Sequence, residues 1–307
     1  MIPIDQQNAM PALDKWTQWI TDRRFGGNAE VREEAMRQYN EIRDTVIKGA
    51  DIQAGETVVD VGCGDGMLGF KALDVVGENG KVIFDDISSD LLDLIKTFID
   101  TAHIKGNVQL IQNSADDLHD IPSGSVDAVM TRSVLIYVHD KKKCFEEFYR
   151  VLNETGRISL WEPINIFSQR MSSGKSFMGY DVTPIIDLVK KVVGGEAPGN
   201  FEADPMMNFD ERNLMSCAID TGFKEVTLKY EAMISHQAQW HWDILYKAPP
   251  NPNAKSLEEK VNKTLSAEEK EQFLAYFKPL VETSKANRVF AFAHLIATKS
   301  APKSVNR

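Results

Sequence analysis

Residues Val58 to Gly66 read VVDVGCGDG, and no other stretch of the chain restricts the fold as much. Val58, Val59 and Val61 are β-branched and suit a buried strand. Asp60 sits near the end of that strand, and Gly62, Gly64 and Gly66 follow in alternation. Such glycines reach backbone angles closed to other residues and let a ligand approach the main chain. The economical reading is a cofactor loop at the start of a βα unit, with a turn whose glycines serve only packing as the alternative.

The spacing bears on which cofactor. A dinucleotide fingerprint puts its third glycine three places after the second, where Met67 stands here, and turns a helix N-terminus toward a pyrophosphate. This loop runs Gly-x-Gly-x-Gly, and a carboxylate at Asp60 would repel a phosphate but could hold a cationic group, directly or through water. S-adenosylmethionine carries an amino group and a sulfonium. The run therefore resembles motif I of the class I S-adenosylmethionine-dependent methyltransferases, of the small-molecule type. That resemblance implies S-adenosylmethionine as cofactor, S-adenosylhomocysteine as product, and Asp60, Gly62, Cys63 and Gly64 as cofactor contacts.

Composition bounds the rest. The chain has 307 residues, 43% hydrophobic and 26% charged, enough for one large core or a core with a smaller lobe. It holds no run of about 18 apolar residues, and MIPIDQQNAM lacks a basic-then-apolar leader pattern, so a cytoplasmic protein without membrane attachment is expected. A net charge of −10 argues against a nucleic-acid partner. Cys63, Cys144 and Cys217 are widely spaced with no CxxC pair, which argues against disulfides and against a zinc site. No metal motif is visible, and oligomeric state is not legible.

The periodicity predicts helices over 12–22, with Trp16, Trp19 and Ile20 on one face, and over 29–48, both beside the cofactor site, with Arg23 to Gly27 as an interhelix loop or a mobile hinge over the pocket. After the glycine loop come a helix over 67–76, a strand over 81–85 and the acids Asp85 and Asp86, placed where a doubly wound fold sets an acid against a ribose. The family resemblance implies Asp86 as that acid, beside Ile87, with Ser88 or Ser89 capping a helix from Asp90. A third strand over 107–111 leads to the segment that wraps the adenine in the family. The family's usual acid is replaced by Ser114, so Asp116 and the Ala115 main chain are the expected contacts. A fourth strand ends at Arg132, which either meets the cofactor carboxylate or makes a structural ion pair. An amphipathic helix over 141–152, a turn over 153–156 and a strand over 157–161 complete the pattern. The expected fold is α/β: a doubly wound, seven-stranded, mostly parallel sheet with N-terminal helices and a helical cap or lid built from insertions.

Beyond Glu162 the βα regularity stops. A helix over 209–221 capped by Asp210, a strand over 223–231 and a last strand over 288–299 are expected, with about 55 residues intervening. Those residues carry a Trp/His cluster and helices near 257–263 and 267–281, the second with a Ser266/Glu269 capping box. The implied organisation is an N-terminal helical cap (1–50), a cofactor-binding core (51–164), a cap segment (165–208), core continued (209–233), an inserted helical lid (234–287) and the last strand with its tail (288–307). The cap, the insertion and the N-terminal helices are expected to roof the pocket. If the acceptor needs a base, His241, His236, Glu162, Tyr180 and Asp181 are the candidates. The leading reading is methyl transfer to a small-molecule acceptor through O, N, S or C. A nicotinamide-dependent oxidoreductase and a non-catalytic S-adenosylmethionine-binding protein are the alternatives.

Overall fold

Strand and helix alternate through the first half of the chain, and the order of the sheet follows from that alternation. The structure, a computed structural model, describes residues 13–26, 28–171, 174–194 and 201–300. Its strands are β1 (Thr57–Val61), β2 (Lys81–Asp85), β3 (Asn107–Ile111), β4 (Val126–Arg132), β5 (Leu152–Pro163), β6 (Ser176–Phe177), β7 (Tyr180–Asp181), β8 (Glu225–Ala238) and β9 (Ala286–Thr298). Seven of these form one sheet in the order β3-β2-β1-β4-β5-β9-β8, while β6 and β7 pair with each other. Pairing from β3 through β5 is parallel, and β9 lies antiparallel between β5 and β8. The expected seven-stranded, mostly parallel α/β sheet is the one observed.

The helices are α1 (Lys15–Gln18), continuing as a π-helical turn (Trp19–Arg23), then α2 (Ala29–Ala50), α3 (Met67–Val76), α4 (Ser89–Thr101), α5 (Lys141–Val151), α6 (Asn165–Met171), α7 (Ile186–Val192), α8 (Glu211–Thr221), α9 (Trp242–Lys247), α10 (Leu257–Thr264) and α11 (Ala267–Thr283). Many begin where side chains satisfy free backbone N–H groups. Ser88 accepts from the Leu91 amide at α4, and Ser266 and Glu269 form the anticipated reciprocal pair at α11. Gly222 ends α8 in the left-handed conformation. No helix among the described residues is long and apolar enough to cross a membrane.

The sheet buries both faces. Val58, Val82, Phe84 and Met130 pack with α2, α3 and α4 on one side; Val59, Val61, Val129 and Leu160 pack with Phe145 and Phe148 of α5 and Leu214 of α8 on the other. The contact between α3 and β2 is tight: a Cβ at Gly69 would lie 2.2 Å from Cε1 of Phe84. A third core lies apart, where Tyr180, Val189, Tyr246, Phe273, Phe277 and Val281 join α7, α9, α10, α11 and the β6–β7 hairpin.

Several local expectations change. Residues 153–156, expected as a turn, are extended within β5, because the pairing shifts between Val126 and Ala128 and absorbs the extra residues. Strands β8 and β9 are longer than their hydrophobic patterns suggested and pair as far as Ala238 with Ala286. The first helix, expected as one run, divides into α1 and the π-helical turn. The expected helix start at Ala12, the hinge residue Gly27, parts of the 165–208 segment and most of the tail lie outside the described residues.

Candidate active site

Strand order reverses at β1, whose neighbours are β2 and β4, and in a doubly wound sheet the crevice beyond the strand ends opens at such a point. A cavity of about 310 Å³ lies there. One side is the glycine loop after β1. Gly62 has φ 64°, and a Cβ on it would stand 2.4 Å from Val134 Cγ2, so both backbone angle and space demand glycine. The loop is tied to β2: the Cys63 N–H donates to the Asp85 carbonyl at 2.9 Å, and the Gly64 N–H donates to Asp86 Oδ2 at 2.8 Å. Asp86 Oδ1 accepts from the Ser88 N–H at 2.9 Å. Both carboxylate oxygens are thus held by backbone, with lone pairs left over for a ligand.

Burial shapes the charges here. Asp60 is 1% exposed and receives one backbone N–H, from Gly69 at 2.8 Å; desolvation pushes it up to about 8. Asp85 is also pushed up to about 8, first by burial and then by the Asp86 charge. Burial raises Asp86 as well, against the two amides that favour its ionised form. Arg132, at the end of β4, is pushed below the usual arginine range by desolvation and then by the positive charge of Arg24. Burial pushes the Tyr137 hydroxyl up to about 12, which keeps it a proton donor at neutral pH.

All nine expected cofactor contacts, Asp60, Gly62, Cys63, Gly64, Asp86, Ile87, Ala115, Asp116 and Arg132, line this one cavity. Ser114, standing where an acid was anticipated, hydrogen-bonds through its hydroxyl to Asp116 Oδ1. The expected bases lie elsewhere. Glu162 is fully buried, and its oxygens accept from the amides of Val134, Leu135 and Ile136 at 2.9, 3.0 and 3.2 Å. It staples the turn after β4, and burial pushes it up to about 7. Tyr180 packs against Phe277 in the third core, His236 is hydrogen-bonded to Asn287 on the β8–β9 hairpin, and His241 precedes α9. Asp181 follows Tyr180 in β7 and caps the next turn through Thr183. None of these five lines the cavity. The Trp/His cluster of the sequence is real as a sequence neighbourhood, but the hairpin carries it away from the crevice.

The roof also differs from expectation. Among the described residues it comes from Trp16, Trp19, Ile20 and Arg24 of the N-terminal segment and from Tyr137, Val138 and His139 after β4; no residue between 165 and 287 takes part. The sequence placed the N-terminal helices beside the site, and Arg24 in a loop or hinge over the pocket, but Tyr137 and His139 carried no signal. Asp14 caps α1 and bonds to Ser88, fixing the segment over α4. The inserted lobe grips the same segment from outside: Trp19 Nε1 donates to the Pro249 carbonyl at 3.0 Å, and Arg23 meets Glu259 at 3.0 Å.

A methyltransferase-domain family model matches residues 52–211, just over half of the chain. The ubiquinone/menaquinone biosynthesis C-methyltransferase UbiE of Pseudoalteromonas translucida is 28% identical over 182 residues, covering 59% of this chain and 71% of the relative. The protein of the same name from Escherichia coli O1:K1 is 29% identical over 177 residues, covering 57% and 69%. In fold the chain is similar to YcgJ of Bacillus subtilis (TM-score 0.53, 17% identity, 85% of this chain and 98% of that one). It is similar as well to a geranyl diphosphate methyltransferase solved with S-adenosylmethionine (TM-score 0.50, 16% identity, 90% and 91%). A glycine loop, a strand-end acid and a family model that spans both leave one conclusion: this chain belongs to the methyltransferase-domain family and is an S-adenosylmethionine-dependent methyltransferase acting on a small molecule.

Proposed function

We propose that the cavity holds S-adenosylmethionine with its ribose on Asp86, its adenine between Ile87 and the Ala115–Asp116 turn, its amino group toward Asp60 and its carboxylate toward Arg132. The observation that carries this reading is the convergence of three βα units on one space: the loop after β1, the acid after β2 and the turn after β3 all border it. The residues suit the group. Asp60 and Asp86 carry carboxyl groups with few or only backbone partners, and Arg132 is a cation with no carboxylate within 4.0 Å among the described residues. Ile87 is 55% exposed yet borders the cavity, as an apolar cover for a flat base would be.

The cofactor supplies a methyl group on a positively charged sulfur, open to in-line displacement. The chain's part is alignment and exclusion of water. Glu162 contributes indirectly, by holding the Val134–Ile136 turn against Gly62. Trp16, Trp19, Ile20 and Tyr137 offer aromatic and apolar walls for an acceptor with a flat, largely apolar body. The relatives are named for C-methylation in quinone biosynthesis, which makes a ring carbon the first acceptor atom to test here. Of the imidazoles among the described residues, only His139 borders the cavity, which makes it the first base to test ahead of the five expected from sequence.

Calorimetry tests the reading. S-adenosylmethionine and S-adenosylhomocysteine should bind the wild type, NADH should not, and Asp86→Ala should weaken both adenosyl compounds about ten- to hundredfold. That corresponds to about 1.5 to 3 kcal/mol for charged hydrogen bonds. Unchanged affinity in the variant would remove Asp86 from the site, and binding of NADH alone would reverse the choice of cofactor.

A further inference from the structure

The cavity contains a second guanidinium that the cofactor does not need. Arg24 and Arg132 both border it, and both lie on the ring of Tyr39, with their Cζ atoms 4.4 and 5.1 Å from its centroid. Arg24 also stacks on Trp19 at 4.6 Å. Among the described residues neither guanidinium is within ion-pair distance of a carboxylate. The part of the wall contributed by residues 16–24 and 132–139 holds these two cations, aromatic and apolar side chains, Ser133 and His139; the cavity's carboxylates, Asp60, Asp65, Asp86 and Asp116, come from β1 and from the segments after β1, β2 and β3. Two like charges gathered on one aromatic ring repel each other, and the carboxylates whose charge acts on Arg132, Asp65 and Asp60, lie beyond ion-pair distance. Aromatic faces offset part of that cost; an anion between the guanidiniums offsets more.

One cofactor carboxylate satisfies one of the two. Arg132, at the end of β4 beside the glycine loop, feels the charges of Asp65 from that loop and Asp60 from β1; Arg24 comes from the roof and stacks on Trp19. The geometry points to Arg24 as the anchor for an anionic group on the methyl acceptor, so that the acceptor is an acid with a flat apolar body. The shared chemistry is an oxyanion on an aromatic or unsaturated frame, whether carboxylate, phosphate ester or acidic hydroxyl. Arg24 then sets the acceptor's register against Trp16, Trp19 and Tyr137, as a positioning and specificity residue. This inference rests on the cofactor placement proposed above.

Titrating the protein, preloaded with S-adenosylhomocysteine, with benzoate, 4-hydroxybenzoate and phenyl phosphate, each beside neutral benzamide, tests it. At least one acid should bind tenfold or more tightly than benzamide. Arg24→Gln should abolish that preference while leaving S-adenosylhomocysteine affinity within about twofold, whereas Arg132→Gln should weaken S-adenosylhomocysteine itself. Arg24→Lys should restore part of the preference, since it keeps the charge and loses the stacked plane. No preference for any acid, or a preference untouched in Arg24→Gln, overturns the inference. So does a loss of S-adenosylhomocysteine affinity in Arg24→Gln as large as that in Arg132→Gln, because it makes Arg24 a cofactor contact. Failure of the wild type to bind S-adenosylhomocysteine would instead overturn the cofactor placement, and the inference with it.

Discussion

Burial at Asp60 favours the neutral carboxylic acid over the carboxylate. With burial pushing it up to about 8 against a usual value near 4, it is mostly protonated at pH 7. A cationic amino group brought against it reverses the preference, so binding should expel a proton. We expect the observed enthalpy of S-adenosylhomocysteine binding at pH 7 to differ between phosphate and Tris by the buffers' difference in ionisation enthalpy, multiplied by up to one proton. Asp60→Asn should remove most of that difference. Equal enthalpies for the wild type in the two buffers would place the amino group elsewhere. Glu162 shows why residue type alone misleads about roles. A buried glutamate at a strand end fits the profile of a base, yet three backbone amides occupy it, and those partners lie 26 to 28 residues away in sequence. Nothing local to Glu162 announces them.

At the scale of elements, two close contacts fix how helices lie on the sheet. Gly69 of α3 sits over the Phe84 ring of β2, so Gly69→Ala forces the helix or the ring to move. The expected loss is about 1 to 3 kcal/mol in urea unfolding, despite alanine's better helix propensity. Under α2, His294 of β9 is 5% exposed, bonded through Nε2 to Ser159 Oγ at 3.0 Å, and pushed down to about 4, first by burial. Its unfolded value is near 6.5, so the unfolded chain takes up the proton first. The stabilisation from keeping this ring neutral is complete above pH 6.5 and is lost as pH falls from there toward 4. His294→Gln should therefore flatten the acid limb of the stability curve by on the order of 2 kcal/mol between pH 7.5 and 4.5, measured by urea titration. The βα alternation was legible because each strand is short, apolar and bounded by turn residues, and the glycine loop because its chemistry lies within nine consecutive residues. The segment 153–156 was not, because its extended form depends on a register shift in β4, a different strand.

For the whole molecule, the division of labour between sheet and lobe matters most. The three sheet-end segments border the cavity, whereas the lobe between β8 and β9 reaches it by holding the N-terminal segment at Lys15, Trp19 and Arg23. Replacing residues 239–285 with a short glycine-containing turn should leave S-adenosylhomocysteine affinity within a few fold. Acceptor methylation, followed with a labelled methyl group, should fall at least tenfold as the roof loses its outer support. A parallel loss of cofactor affinity would mean that the lobe supports the glycine loop as well. The insertion expected over 234–287 begins later and ends earlier than its pattern suggested, because a 14-residue β8 pairs with a 13-residue β9 as far as Ala238 and Ala286, and no described residue between them lines the crevice.

That hairpin also sets how freely the lobe can vary. Ala238 and Ala286 face each other as paired residues, so the chain leaves the sheet and returns to it at one point. Whatever is threaded between them need only close a gap already one strand spacing wide, and lengthening such a loop costs little chain entropy. The lobe is in effect a socketed part. Its length and chemistry can change without moving the two strand ends that hold it, and so without disturbing the register of the sheet beside the methyl-donor site.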